Sequence, residues 1–209
     1  MNITGMPLGA LGTNCYILHK SGKALIVDPG DESEKVVAYL SENQLEPEAI
    51  VLTHAHFDHI GAVDDLRKKY MLPVYLHHEE TDWLTEPLYN GSGRFPRTPI
   101  TTAPPEAELV EGKMTIGSFS FHVYHTPGHS PGSVTIVFEK DEIIISGDAL
   151  FQLGIGRTDL FGGNTQQLIE SIQNKIYPLN ESYTVYPGHG NPTTIGFEKM
   201  NNPYVSPKD

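Results

Sequence analysis

The sequence is poor in cysteine, in positive charge and in long apolar runs. Cys15 is the one cysteine among 209 residues, so no internal disulfide can form. Fourteen lysines and arginines against 26 acidic residues give a net charge of -12, which disfavours nucleic acid and anionic membranes as partners. No apolar run approaches the roughly 20 residues that span a bilayer, and the start of the chain lacks signal-peptide features. We expect a cytoplasmic protein with a small-molecule substrate.

The first half of the chain alternates short apolar runs with turn residues. Ser33 is expected to cap a helix with one apolar face, and a second helix is expected over about 60–70. Strands are predicted at 14–19, 24–27, 49–53 and 73–77. This alternation predicts α/β layering.

The second half begins with a proline-rich stretch, 85–107, for which the composition predicts a long irregular connection. A meander of short β-type runs is predicted over 108–146. A helix capped by Asn164 or Thr165 then precedes a last strand at 183–187. At this length and without a linker, one domain over residues 1–209 is expected.

Residues 53–61 read THAHFDHIG and follow the apolar run 50–52 directly. Side chains two apart on an extended chain point the same way, so His54 and His56 can reach one ion. Asp58 and His59 fall where the chain turns into the next helix, so their side chains point in a different direction from those of His54 and His56. They therefore suit a second ion. Taken singly, Asp58 reads as a helix cap and each histidine as an ordinary hydrogen-bonded residue. Their combination favours a metal site.

Four residues cannot complete two coordination spheres, so further ligands must come from elsewhere in the chain. Three apolar strands each end in glycine or Pro-Gly and then a metal-capable side chain. These side chains are His129 in HTPGHSPGS, Asp148 in SGDALF and His189 in YPGHG. Asp148 has two carboxylate oxygens and is the natural bridge between two ions.

Together, THAHFDH, HTPGHSPGS, SGDALF and PGHG resemble the metallo-β-lactamase-fold hydrolases over about residues 12–205. GIGRTDLFGG and YPGHGNPTTIGFEKMNNPY narrow the resemblance to the short glyoxalase II-like (hydroxyacylglutathione hydrolase-like) branch. The resemblance implies an α/β fold, an αβ/βα four-layer sandwich of two mixed β-sheets with helices on the outer faces. Only twenty residues follow His189, so the C-terminal helical domain of full-length glyoxalase II is not expected and glutathione recognition is open.

The same resemblance implies a ligand set. His54, His56 and His129 would hold one ion. Asp58, His59 and His189 would hold the other, and Asp148 and a hydroxide would bridge both. Asp58 would also be catalytic, by orienting the hydroxide. Two divalent ions are therefore expected as cofactors, with zinc as the first choice and iron or manganese compatible with imidazole and carboxylate ligands.

The expected function is hydrolysis of a small thioester by attack of the metal-bridging hydroxide. Metal ions lower the pKa of bound water toward 7, and a thiol with a pKa of roughly 8.5 leaves without a strong acid. The alternative is a persulfide dioxygenase-like enzyme with one iron on His54, His129 and Asp148. The same ligands would also suit an oxygen-reactive diiron protein. A redox or nucleic-acid-binding module on the same fold is disfavoured by chain length and charge.

Four residues are candidates for substrate contacts. Arg157 lies in the GIGRTD turn, and Arg94, Arg97 and Tyr89 lie in the proline-rich stretch. An arginine fork could meet a substrate carboxylate, and Tyr89 could line a lid. The alternatives are an ion pair for Arg157, solvated charges for the other two arginines and an anchoring role for Tyr89. No pattern predicts an oligomeric state.

Overall fold

The structure is a computed structural model that describes residues 1–94 and 99–208. The chain forms two compact units. Unit 1 comprises Met1–Leu109 and Thr115–Phe119, and unit 2 comprises Val110–Met114 and the chain from Ser120 onward. Within the described residues, no helix is long and apolar enough to cross a membrane. The single domain expected over 1–209 stays a prediction.

Unit 1 contains a six-stranded sheet whose strands follow one another in chain order. Its strands are β1 Asn2–Leu8, β2 Thr13–Lys20, β3 Lys23–Val27, β4 Glu46–Val51, β5 Val74–Leu76 and β6 Ala107–Glu108. The first three pair antiparallel, and β3 to β6 pair parallel. The carboxyl ends of β3 and β4 therefore meet at one edge, where the chain turns toward THAHFDH.

The helices of unit 1 cover this sheet with their apolar faces. They are α1 Ser33–Glu42, α2 Phe57–Ile60 and α3 Val63–Tyr70, and 3₁₀ turns cover His78–Leu84 and Ser92–Arg94. Val36 of α1 and Leu66 of α3 are fully buried in one cluster with Ile50 of β4. Apolar residues three or four apart on each helix produce this burial.

Two expectations for unit 1 were wrong in detail. Ser33 is the first helical residue and Glu32 precedes the helix as its N-cap; the Ser33 hydroxyl donates instead to Asp65 on α3. The helix expected over 60–70 is two helices, and α2 begins earlier, at Phe57. This early start places Asp58 and His59 on helical backbone.

Unit 2 contains most of the second six-stranded sheet, whose order is β14-β13-β10-β9-β8-β7. Its strands are β7 Gly112–Ile116, β8 Phe119–His125, β9 Val134–Phe138, β10 Ile143–Gly147, β13 Thr184–Pro187 and β14 Thr193–Thr194. A separate hairpin pairs β11 Leu150–Phe151 with β12 Gly154–Ile155. Strands β10 and β13 run parallel, while β9 pairs antiparallel with β10. The carboxyl ends of β10 and β13 therefore lie side by side.

The helices of unit 2 are α4 Thr165–Ser171, continued by a π-helical turn over Ile172–Ile176, and α5 Ile195–Asn201. The Asn164 side chain accepts from the backbone N–H of Gln167 and caps α4, as predicted. Leu168 and Ile172 are buried against Val185 of β13. The strand predicted at 183–187 is present as β13 but is not the last strand, because β14 follows it. The two mixed sheets with helices confirm the predicted α/β class.

Candidate metal centre

Four of the predicted ligands lie together in unit 1. His54 and His56 follow β4, and their ring centroids are 4.9 Å apart at 90°. The ring of His59, on α2, lies 4.1 Å from that of His54. The side chains of His54, His56 and His59 are buried. Nε2 of His59 faces Oδ2 of Asp58 at 3.6 Å.

A buried carboxylate, Asp28, organises two of these histidines. Thr53 donates to it twice, from its backbone N–H at 2.7 Å and from its hydroxyl at 2.6 Å. Nδ1 of His59 donates to the same carboxylate at 3.0 Å. Because the Thr53 hydroxyl proton is committed to Asp28, the contact of 3.1 Å between that hydroxyl and Nδ1 of His54 makes His54 the donor. Both imidazoles therefore present the lone pair of Nε2 for a metal.

Asp28 was not among the functional residues predicted from the sequence. A signal was nonetheless present. Asp28 directly follows β3, and β3 pairs in parallel with β4, which leads to His54. The backbone N–H of Asp28 donates to the carbonyl of Val51 at 3.1 Å, which fixes this proximity.

Three further contacts hold the THAHFDH segment in unit 1. The Thr13 hydroxyl donates to Oδ2 of Asp58 at 2.7 Å. The fully buried Glu80 accepts from the backbone N–H of Ala55, the residue between the paired histidines, at 2.5 Å. The ring of Trp83, in the same 3₁₀ turn as Glu80, lies 5.5 Å from that of His56. These residues fix the main chain and the rings before any ion arrives.

Glycine is required at position 30 for steric reasons. A Cβ there would overlap the backbone carbonyl oxygen of Asp58. The backbone after β3 therefore runs in direct contact with the first turn of α2, and a larger residue would displace Asp58.

The other three predicted ligands lie together in unit 2. Oδ2 of Asp148 faces Nε2 of His129 at 3.5 Å and Nε2 of His189 at 3.6 Å. Both distances are too long for good hydrogen bonds. Two ligands about 2.05 Å from a tetrahedral zinc are about 3.3 Å apart, so the spacing fits side chains that share an ion. One carboxylate oxygen facing two imidazoles fits a bridging role for Asp148.

The unit 2 ligands are also oriented by neighbours. Nδ1 of His129 donates to the backbone carbonyl of Arg157 at 2.7 Å, so its Nε2 carries the lone pair. The ring of Phe151, on β11, meets that of His189 edge-on at 6.2 Å. A Cβ at Gly156 would overlap the carbonyl oxygen of Asp148 and lie 3.1 Å from Nδ1 of His129. The segment 151–157 thus contacts all three ligands.

Comparison with known proteins identifies the family. The sequence-family model that describes the metallo-beta-lactamase superfamily matches residues 8–189 of this chain. The chain belongs to this superfamily. The probable metallo-hydrolase YqgX of Bacillus subtilis is 47% identical over 203 residues, which cover 96% of each chain. The hydroxyacylglutathione hydrolase GloC of Haemophilus influenzae is 36% identical over 211 residues, which cover 100% of each chain.

Solved structures agree with this membership. The BLEG-1 B3 metallo-beta-lactamase is 51% identical with a TM-score of 0.95, over 98% of this chain and 99% of that one. TTHA1623 in a di-iron-bound form is 39% identical with a TM-score of 0.84, over 97% and 100%. ETHE1 from Myxococcus xanthus is 25% identical with a TM-score of 0.80, over 99% and 85%. The protein is a metal-dependent hydrolase of the metallo-β-lactamase fold.

The substrate contacts predicted for this metallo-β-lactamase-fold hydrolase stay predictions. Arg157 donates twice to Asp159, both times at 2.8 Å, and both side chains are exposed. Arg94 is exposed in the 3₁₀ turn, and Tyr89 is 39% exposed. Arg97 lies outside the described residues. The ion pair expected as the alternative role of Arg157 is present.

The cysteine of this metallo-β-lactamase-fold hydrolase does not belong to the site chemistry. Cys15 is fully buried in β2. Burial, and secondarily the charge of Asp28, raise the pKa of the Cys15 thiol far above its usual range. A thiol kept neutral in this way is neither a nucleophile nor a metal ligand at neutral pH.

Proposed function

We propose that this metal-dependent hydrolase cleaves a small thioester, of hydroxyacyl-glutathione or another low-molecular-weight thiol, with two divalent ions. His54, His56 and His129 would hold one ion. Asp58, His59 and His189 would hold the other, and Asp148 would bridge them. The observation that carries the proposal is the single Asp148 oxygen that faces two imidazole nitrogens, at 3.5 and 3.6 Å.

The donor set supports two ions of intermediate hardness. Imidazole nitrogens and carboxylate oxygens, without thiolate, suit zinc, iron or manganese, and we propose zinc. When bound, such ions would lower the pKa of a coordinated water and polarise a substrate carbonyl. The di-iron-bound form of TTHA1623 supports two iron ions as an alternative to two zinc ions.

The chain's own residues supply orientation. The Thr13 hydroxyl donates to Oδ2 of Asp58 and so holds the carboxylate that would orient the attacking hydroxide toward the substrate. No described residue of this site offers an activated thiol as a nucleophile, since Cys15 is buried with a raised pKa. A thiolate with a conjugate-acid pKa of roughly 8.5 needs no strong general acid to leave, so a thioester suits the site. The match with GloC along both whole chains supports the same substrate class.

The test is a comparison of three reactions on one purified preparation of known metal content. Hydrolysis of S-D-lactoylglutathione and of a neutral thioester is measured beside sulfur-dependent oxygen uptake. The proposal expects close to two metal ions per chain and thioester hydrolysis that stops when a chelator removes the metal. One iron per chain with oxygen uptake and no hydrolysis would establish the persulfide dioxygenase-like alternative.

A second candidate function is β-lactam hydrolysis, because BLEG-1, a B3 metallo-beta-lactamase, is 51% identical along nearly the whole chain. An amide nitrogen leaves less readily than a thiolate, so this reaction demands more help from the site. The same preparation, assayed with a chromogenic cephalosporin, separates the two. We expect kcat/KM for the thioester to exceed that for the β-lactam by at least about tenfold, and the reverse order would replace the proposal.

A further inference from the structure

Unit 2 contains a fully buried carboxylate, Glu198, which lies on α5 and is not a predicted ligand. Oε2 accepts from the backbone N–H of Leu153 at 3.0 Å and from Nδ2 of Asn202 at 2.8 Å. Oε1 accepts from the Thr193 hydroxyl at 2.6 Å. A buried acid with three donors is costly to disrupt, because its removal leaves each donor unsatisfied.

These donors belong to the segments that carry the metal ligands. Leu153 is at the turn of the β11–β12 hairpin, where its φ of 55° is left-handed and strained for a side chain of that kind. Asn202 donates to the carbonyl of Gly154, the first residue of β12, at 3.0 Å. Thr193 lies four residues after His189. Glu198 therefore ties the hairpin turn to the segment that follows His189.

The hairpin transmits this restraint to the ligands. Phe151 on β11 packs edge-on against the ring of His189. On the other strand, β12 leads into Gly156, whose backbone N–H donates to the carbonyl of Ala149 at 3.3 Å. The next residue, Arg157, accepts from Nδ1 of His129 through its carbonyl. A shift of the turn would therefore move the groups that orient both histidines.

We propose that Glu198 is a positioning residue for the metal ligands of unit 2, and that it acts through the β11–β12 hairpin. The inference rests on the binuclear centre proposed above and not on the thioester substrate. Groups that orient metal ligands typically contribute 10–100-fold in metal affinity. Glu198 does not contact His129 or His189 directly. It acts on their orientation through the Arg157 carbonyl and the Phe151 ring, which do contact them.

Glu198→Ala and Glu198→Gln provide the main comparison. The alanine variant leaves three donors unsatisfied, and we expect its affinity for Zn²⁺ to fall about tenfold. In the glutamine variant the amide oxygen can accept from Leu153 and Asn202, while the amide nitrogen donates to the Thr193 hydroxyl. We expect that variant to bind Zn²⁺ within about threefold of the wild type. Affinity is measured by competition with a chromogenic chelator, and the absorption of bound Co²⁺ reports the ligand geometry.

Two further variants separate positioning from general stability. Tyr177→Phe removes hydrogen bonds of 3.2 and 3.1 Å to the carbonyls of Glu198 and Val205, so it weakens the anchoring of α5 without touching the carboxylate. We expect it to lower the urea midpoint of the metal-free protein and leave Zn²⁺ affinity unchanged. Thr193→Val removes one donor and keeps the side-chain shape. We expect it to weaken Zn²⁺ binding by about threefold even if Glu198→Ala does not fold.

Wild-type Zn²⁺ affinity in Glu198→Ala or in Thr193→Val would overturn the inference, as would an equal loss in Tyr177→Phe. Wild-type protein that binds no metal would overturn the proposed centre and this inference together. Wild-type protein that binds two ions and does not hydrolyse thioesters would overturn only the proposed substrate.

Discussion

At the scale of single residues, the candidate ligands are held by groups that are not ligands themselves. Asp28 accepts from Thr53 and from Nδ1 of His59, and the Thr53 hydroxyl accepts in turn from Nδ1 of His54. Because the imidazole proton sits on Nδ1 in both histidines, Nε2 is ready for a metal without a tautomer change. The protein therefore fixes the protonation of these ligands through one buried carboxylate.

Asp28→Asn tests this arrangement. An asparagine places a donor NH₂ opposite an existing donor, so we expect Zn²⁺ affinity to fall 10–100-fold. The unfolding free energy of the metal-free protein should fall by about 2 kcal/mol. Chelator competition and urea denaturation measure the two effects. Asp31→Asn is the matched control, since Asp31 is exposed, and it should change stability by less than about 0.5 kcal/mol. Equal behaviour of the two variants would contradict the role of Asp28.

Arg157 contributes to the site in two separable ways. Its backbone carbonyl orients His129, while its side chain is paired with Asp159 on the surface. Arg157→Ala keeps the carbonyl, so Zn²⁺ affinity should be retained, and the loss of a surface ion pair should cost less than about 1 kcal/mol. If the guanidinium also binds a substrate carboxylate, KM for S-D-lactoylglutathione rises about tenfold while kcat holds. Steady-state kinetics with that substrate and with a neutral thioester measure this effect. An unchanged KM would show that the Arg157 side chain forms only the ion pair with Asp159 and does not bind substrate.

At the scale of elements, the sequence predicted the buried apolar strands. It missed β1, of which only Leu8 is buried, and the two-residue strands β11, β12 and β14. Strands β2 and β3 lie within one residue of their expected bounds, because each is a largely buried run between turn residues. By contrast, β14 has two residues and carries no periodic signal. The seven candidate ligands were proposed from the THAHFDH segment and from three other strand ends, and their assignment to metal ions stays a prediction. Supporting contacts such as that of Thr13 with Asp58, 45 residues apart, depend on tertiary packing and were not predicted.

The contact between the end of β3 and the start of α2 gives a prediction for Gly30. Gly30→Ala places a methyl group on the Asp58 carbonyl, so α2 must shift and carry Asp58 and His59 with it. We expect a loss of at least about 3 kcal/mol in unfolding free energy, together with weaker Zn²⁺ binding. Gly22→Ala is the control. Gly22 has a φ of 76° and no neighbour near its Cβ position, so only backbone strain of about 1 kcal/mol should result. A Gly30→Ala variant as stable as the Gly22→Ala control would contradict the prediction, because it would show that α2 can shift away from the methyl group at little cost in free energy.

At the scale of the whole molecule, stability rests on buried apolar clusters and on charge. The chain can form no internal disulfide, and its net charge of -12 opposes compaction. The candidate ligands add acidic groups, Asp58 and Asp148, beside several imidazoles. Cations bound there would offset part of this repulsion and would bind the native chain in preference to the unfolded one. Metal binding is therefore expected to be a substantial part of the folding stability.

Metal removal by a chelator should accordingly lower Tm. A ligand at 100 times its Kd adds about 2.7 kcal/mol to native stability, and a chain of this length loses about 2–4 °C per kcal/mol. We therefore expect a fall of about 5–10 °C in the wild type, reversed by added Zn²⁺. His56→Ala removes one candidate ligand, so its Tm should respond less to the chelator and its metal content should be lower. Differential scanning calorimetry measures Tm, and elemental analysis measures the metal content. A wild-type Tm that does not change when the chelator is added would contradict a stabilising metal centre.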